Sequence, residues 1–254
     1  MPTLDLTMPL YEGMPGALLP TETEFALPFR EPEKGFITST ETGTSLTLPS
    51  QFLAHRKRAR LHEIPLEKLM LRPTVVVTIP KGPGQEIAAA DVTKALRNRS
   101  FGAGNAFLLR TGWGDNQNYK LQGEGYITKS PYFSEKSAEQ LAAGLEKRGC
   151  DLFLSDLALI QHPAAHLTPE WLKLRPVPRA WPSEAAQAYL SGYTPDRVKA
   201  DYAVLEAFAR HNVMTVKGLI DCNQINGSKV RIIVGPLHLV RQVGATARVV
   251  AIED

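Results

Sequence analysis

The run Val75-Val76-Val77-Thr78-Ile79, stopped by Pro80, sets the strongest limit on how this chain folds. Its β-branched residues follow one another without apolar–polar alternation, the pattern of a buried strand. The run is far shorter than the ~20 residues a membrane span needs, and no other apolar run approaches that length. Further strands are predicted at residues 3–7, 35–41, 44–48, 105–110, 151–159, 213–216, 229–234 and 247–252.

Helices interrupt the later strands. The clearest starts after Ser134, a suitable N-cap, and stops at Gly149, a suitable C′ residue. Ala138, Leu141, Ala142 and Leu145 repeat at helical spacing and give it one apolar stripe. A second helix is predicted from Thr194, with Pro195 in its first turn, to about Arg210, stopping near Asn212. A short one is predicted at 91–97. The chain reads as mixed α/β and, at 254 residues without repeats or low-complexity linkers, as a single domain over 1–254.

Composition narrows the function classes. Hydrophobic residues make up 43% and charged residues 22%, which excludes intrinsic disorder. Two cysteines, Cys150 and Cys222, cannot build a disulfide framework or a cysteine-only zinc site. With no basic, apolar leader at the N-terminus, a cytoplasmic location is expected. The net charge of +3 is concentrated in Arg56-Lys57-Arg58-Ala59-Arg60. No aromatic interleaving or helix-turn-helix pattern accompanies that patch, so it reads as a solvated turn rather than a nucleic-acid contact. Residues 162–193 carry five prolines and two of the three tryptophans, a stretch that suits a lid, an arm or a subunit contact.

Several segments, in order, resemble the bacterial kynurenine formamidase/isatin hydrolase group, the cyclase family. They are Leu4-Asp5-Leu6-Thr7-Met8-Pro9-Leu10 with Gly13-Met14-Pro15, Glu63-Ile64-Pro65-Leu66-Glu67, Leu109-Arg110-Thr111-Gly112-Trp113, Gly149 to Asp156, Pro236-Leu237, and Arg248-Val249-Val250-Ala251-Ile252. The resemblance implies an α/β chain with a swivelling β/β/α fold, assembled as a homodimer or homotetramer around small-molecule chemistry, without nucleic-acid or membrane partners.

The family's chemistry rests on the pattern H-x-G-T-H-x-D-x-P-x-H-F, whose first two histidines and aspartate bind a divalent metal and whose last histidine is an acid/base. Here Gly43, Thr44, Pro49 and Phe52 remain, but the functional positions are Glu41, Ser45, Thr47 and Gln51. The resemblance further places Leu205 where the family has a ligand histidine and Lys217 where it has a ligand glutamate. Neutral hydroxyl and amide groups are poor ligands for zinc or manganese, and a lysine repels the cation. The expectation is therefore a site with neither metal nor cofactor. In it Glu41 and Lys217 are catalytic, while Ser45, Thr47, Gln51, Trp113 and Phe36 bind substrate. Lys217 would stabilise an oxyanion or enolate and Glu41 would move a proton. The reactions in view are cyclisation, dehydration or hydrolysis of a small carbonyl compound, such as a step in specialised biosynthesis. The alternative is a catalytically inactive family member kept for ligand binding or assembly, in which Glu41 and Lys217 form a plugging ion pair. Ser45 lacks the G-x-S-x-G elbow of a nucleophile. Pro163, between His162 and His166, argues against a helical metal pair there. Asp156 is left open between hydrogen bonding near a pocket mouth and capping its strand.

Overall fold

In the computed structural model, eight strands pair into one sheet whose ends meet. The structure describes residues 2–10, 24–26, 37–39, 42–52, 59–97, 101–123, 125–162 and 195–253. The strands are β1 (Thr3–Asp5), β2 (Glu24–Ala26), β3 (Ile37–Ser39), β4 (Ser45–Thr47), β5 (Arg72–Thr78), β6 (Glu86–Ile87), β7 (Ala106–Arg110), β8 (Tyr132–Phe133), β9 (Leu152–Ser155), β10 (Met214–Lys217), β11 (Lys229–Pro236) and β12 (Gly244–Ile252). The helices are α1 (Ala89–Leu96), α2 (Asn118–Leu121), α3 (Gly125–Thr128), α4 (Glu135–Glu146) and α5 (Pro195–Arg210). The main sheet runs β1-β12-β11-β5-β7-β9-β10-β4, and β4 also pairs with β12, so seven strands close into a barrel with β1 added outside the ring. β5, β7, β9 and β10 are parallel; β11 and β4 run against them.

Period-two alternation sends each barrel strand's side chains to two separate cores. Leu46, Val76, Leu108, Leu154, Val216, Ile232 and Val249 fill the interior. Val75, Val77, Phe107, Leu109 and Phe153 face outward and pack under α1, α4 and α5. This two-sided burial explains the unbroken apolar run at β5. No helix among the described residues is long and apolar enough to cross a membrane.

The predicted helix at α4 forms as its residues dictate. Ser134 caps it by accepting a hydrogen bond from the Ser137 amide, a contact worth about 1 kcal/mol. Gly149 takes φ 69° just beyond its end. Pro195 opens α5, and Asn212, at φ 55°, follows its end. A buried arginine missing from the sequence reading ties the parallel strands together. Arg72, at the start of β5, pairs with Asp151 at 2.8 Å and donates to the carbonyls of Lys68, Gly104 and Asn105. Lys68 also pairs with Asp151, and the two cations hold the Asp151 carboxyl below its ordinary range despite burial.

Candidate active site

The carboxyl ends of the parallel strands are the natural place for chemistry in such a sheet, because loops of different length leave them there. β4 closes the sheet beside β10 and sets Ser45 opposite both Lys217 and Thr246. One residue beyond the Val216–Leu154 pair, Ser155 on β9 stands next to Lys217. The row continues through Leu109 on β7 and Val77 on β5, both in the outer core. Thr246, Ser45, Lys217 and Ser155 thus form the polar half of one outward-facing row, and Leu109 and Val77 form its apolar half.

Burial along this row is nearly complete. Ser45 and Ser155 have no exposed surface, and Lys217 keeps 8% of its own. One row lower on the same face, Thr47 stands opposite Thr215 and Gly244. The Gln51 side chain lies above this second row, since a Cβ on Gly244 would sit 3.7 Å from Gln51 Oε1.

Backbone geometry fixes Lys217. Gly218 turns the chain immediately after β10 at φ 71°, and a Cβ there would lie 2.7 Å from the Gly43 carbonyl oxygen. Thr44 locks that approach: its hydroxyl donates to the Gly218 carbonyl at 2.6 Å and accepts from the Met8 amide at 2.8 Å. The Gly43-Thr44 dipeptide therefore serves to seat β4 against the β10 turn.

Asp156 follows Ser155 and points elsewhere. Its carboxylate accepts from the Thr111 amide at 2.8 and 2.9 Å, the Thr111 hydroxyl at 2.7 Å and the Gly112 amide at 2.7 Å. Complete burial nevertheless pushes it up to about 6, against the pull of those donors. This resolves the two readings of Asp156 in favour of structure: it clamps the turn after β7. Trp113, the next residue, stacks on Tyr126 at 5.9 Å, and its indole N–H donates to the Tyr126 carbonyl. The pair lies in an apolar cluster with Met8, Tyr119, Ile127, Ala158, Leu159 and Ile220.

A family model described as "Putative cyclase" matches residues 4–157, more than half of the sequence. The chain belongs to the cyclase family. Solved cyclase-family structures share its swivelling β/β/α fold. An isatin hydrolase bound to the product analogue thioisatinate is 15% identical, with 98% of this chain and 91% of that one covered at a TM-score of 0.67. Isatin hydrolase A from Labrenzia aggregata, bound to benzyl benzoate, is 19% identical over 98% and 93% at 0.65. A potential metal-dependent hydrolase with cyclase activity is 17% identical over 98% and 96% at 0.62. No curated protein matches in sequence.

Of the positions where the family resemblance sets metal ligands, those among the described residues carry side chains that are poor ligands for a divalent metal, while Glu41, which could ligate, lies outside them. Ser45 and Thr47 offer neutral hydroxyls, Lys217 brings an ammonium onto the row, and Leu205 packs against the outer core. Among the described residues, no group of three or more His, Cys, Asp or Glu side chains could hold a metal ion. Of the sequence-predicted site residues, Ser45 and Lys217 are cross-strand neighbours, Thr47 and Gln51 lie beside them, and Trp113 sits in the separate aromatic cluster. Glu41 and Phe36 lie outside the described residues, as does nearly all of the 162–193 segment. Sequence reasoning missed Ser155 and Thr246. Ser155 did carry a signal, as the one hydroxyl ending an otherwise apolar strand.

Proposed function

We propose that this cyclase-family protein is an enzyme that performs acid/base chemistry on a small carbonyl-containing substrate without a metal. The observation that carries the proposal is the placement of Lys217: a nearly buried lysine, with Ser45 and Ser155 beside it on the neighbouring strands, on the row where the family resemblance sets a metal centre. In a water-poor site an ammonium stabilises negative charge developing on a substrate oxygen far better than it does in bulk water. The backbone cost of placing it there is met by Gly218 and Thr44.

In this mechanism Glu41, four residues before Ser45, accepts a proton from the carbon next to the substrate carbonyl. The electron pair moves onto the carbonyl oxygen, where Lys217 hydrogen-bonds the resulting enolate. For cyclisation the enolate carbon bonds to a second carbonyl carbon of the substrate, whose oxygen takes the proton from Glu41; for dehydration the hydroxyl on the next carbon leaves and takes that proton to depart as water. Thr47 and Gln51 orient the substrate through neutral hydrogen bonds. The hydrolase names of the structural neighbours support carbonyl chemistry as the class.

The test is proton–deuterium exchange at carbon next to carbonyl in a panel of small ketones, keto acids and cyclic amides, followed by NMR. Exchange by the wild type that falls at least a hundredfold in Lys217→Met and Glu41→Gln supports the proposal, since electrostatic stabilisers and general bases each contribute about that much or more. Exchange untouched by Lys217→Met, or no exchange with ligand binding retained, returns the protein to the binding reading.

A further inference from the structure

Among the described residues, the buried side-chain atoms Ser45 Oγ, Ser155 Oγ and Tyr126 Oη have no hydrogen-bond partner. Other buried hydroxyls are held: Thr44 donates to the Gly218 carbonyl, Thr111 to Asp156 and Ser137 to the Ser134 carbonyl. An orphaned buried hydroxyl destabilises a fold, so each of them calls for an explanation. Ser45 has one as a substrate-binding residue, and Tyr126 lies in the apolar cluster around Trp113. Ser155 has none so far.

Register shows from which side the Ser155 hydroxyl can be satisfied. Ser155 ends β9 on the outward face of the sheet. One neighbour on its row is Leu109 on β7, an apolar side chain buried in the outer core. The other is Lys217 on β10. A polar atom that meets the hydroxyl along this row therefore comes from the Lys217 side. Ser45 is placed differently, between Lys217 and Thr246 on the far side of β10. Its backbone lies two strand spacings from Ser155, about 10 Å, so the two serines serve different atoms. Lys217 and Ser155 are closer. Two donors that each hydrogen-bond one oxygen at about 2.8 Å, about 115° apart around it, stand about 4.7 Å from each other. Neighbouring strands lie ~4.8 Å apart, so residues side by side on β9 and β10 are spaced to share one acceptor. Lys217 is already engaged within the protein, but an ammonium carries three N–H donors and one interaction does not exhaust them.

We infer that Ser155 is the second hydrogen-bond donor to the substrate oxygen that Lys217 stabilises, so that the ends of β9 and β10 together form an oxyanion hole. The ligand class is a compound that presents one oxygen anion to the pair, an enolate or a phenolate. The inference deepens the proposed function and rests on its placing the carbonyl oxygen at Lys217. As Glu41 takes the proton from carbon and the electron pair moves onto that oxygen, the Ser155 hydroxyl keeps its own proton and its hydrogen bond strengthens with the growing charge. The polar end of β9 thereby has a purpose: its hydroxyl is left without a protein partner so that the substrate oxygen can supply one.

Binding of 4-nitrophenolate to the full chain, followed by its visible absorbance, tests this without turnover; nitrobenzene, which lacks the oxygen anion, is the control by calorimetry. The wild type binds the phenolate more tightly than nitrobenzene. Ser155→Ala weakens phenolate binding roughly tenfold or more, as expected for a hydrogen bond to a charged group, and leaves nitrobenzene binding within about twofold. In the proton-exchange assay the same variant lowers kcat roughly tenfold or more while KM stays within about twofold, the mark of a donor used chiefly in the transition state. Ser155→Thr, which keeps a hydroxyl, restores part of that rate. Because the hydroxyl is an orphan, Ser155→Ala melts no lower than the wild type, a response opposite to that of a structural hydroxyl. The inference is overturned if the wild type does not prefer the phenolate, if Ser155→Ala binds it as tightly as the wild type, or if Ser155→Ala melts lower. Exchange lost in Lys217→Met but unchanged in Ser155→Ala removes this inference and keeps the proposed function. Phenolate binding weakened in Ser155→Ala, in a protein that catalyses no exchange, keeps the oxyanion hole and removes the proposed reaction.

Discussion

Replacing Asp156 by asparagine changes stability in a way that depends on pH, and the structure gives both sign and size. The carboxyl is fully buried and pushed up to about 6, chiefly by that burial, from an ordinary 3.8 in the unfolded chain. Between those values the folded protein holds a proton that the unfolded chain has released, so stability falls as pH rises through this window. A difference of about two units corresponds to about 3 kcal/mol. Asparagine carries no charge and lacks this dependence. It keeps one acceptor for the Thr111 amide and hydroxyl but turns an NH2 towards the Gly112 amide, which costs about 1–3 kcal/mol at every pH. The carboxyls held below their ordinary range by partners, such as Asp5, Asp91 and Asp151, titrate alike in both proteins and cancel in the difference. Denaturant unfolding followed by circular dichroism at pH 4 and pH 7 is the assay. Because the unfolded carboxyl is already partly ionised at pH 4, Asp156→Asn should gain about 2 kcal/mol relative to the wild type on going from pH 4 to pH 7. A difference that is flat with pH, or that moves the other way, would mean that the Thr111 and Gly112 donors outweigh burial and would refute the reasoning.

Two further predictions concern the frame of the site. Gly218→Ala should destabilise by about 2 kcal/mol or more, because φ 71° and a Cβ placed 2.7 Å from the Gly43 carbonyl both oppose it; thermal melting checks this. His211 lies 2.6 Å from both Glu139 and Glu146 and staples α5 to α4. Burial opposes its charge, but the two carboxylates prevail and hold it above its ordinary value. Its stabilisation is therefore complete below about pH 6.5 and lost as pH rises through the folded value. Melting curves of wild type and His211→Gln should converge at alkaline pH, and a constant gap would contradict the assignment.

Much of the fold was legible because local chemistry and tertiary structure agree. The β5 run, the Ser134 cap, Gly149 and Pro195 each specify an element from a few neighbouring residues, and each element formed. Strand ends were less legible: the strand predicted over 151–159 stops at Ser155, where Asp156 turns away to clamp Thr111. Closure of the sheet through β4 and β12 could not be read locally, since Ser45 and Thr246 are brought together by pairing two hundred residues apart in sequence. The site was legible where a family pattern ran through it, at Ser45, Thr47 and Gln51, and where a charge replaced an expected ligand, at Lys217. It was illegible at Ser155 and Thr246, whose importance comes only from register. Trp113 stood out as a large aromatic after a strand, but that signal does not separate a substrate wall from a packed cluster, and here the indole is buried against Tyr126.

The central claim is that an ammonium, Lys217, replaces a metal centre on the outer row of a cyclase-family barrel. Its most direct test is equilibrium dialysis of the purified full chain against zinc and against manganese, followed by elemental analysis of the protein. The account predicts well under one equivalent of either metal per chain, with no change in Lys217→Met. One equivalent bound tightly by the wild type, and lost when Ser45 and Thr47 are replaced by alanine, would contradict it.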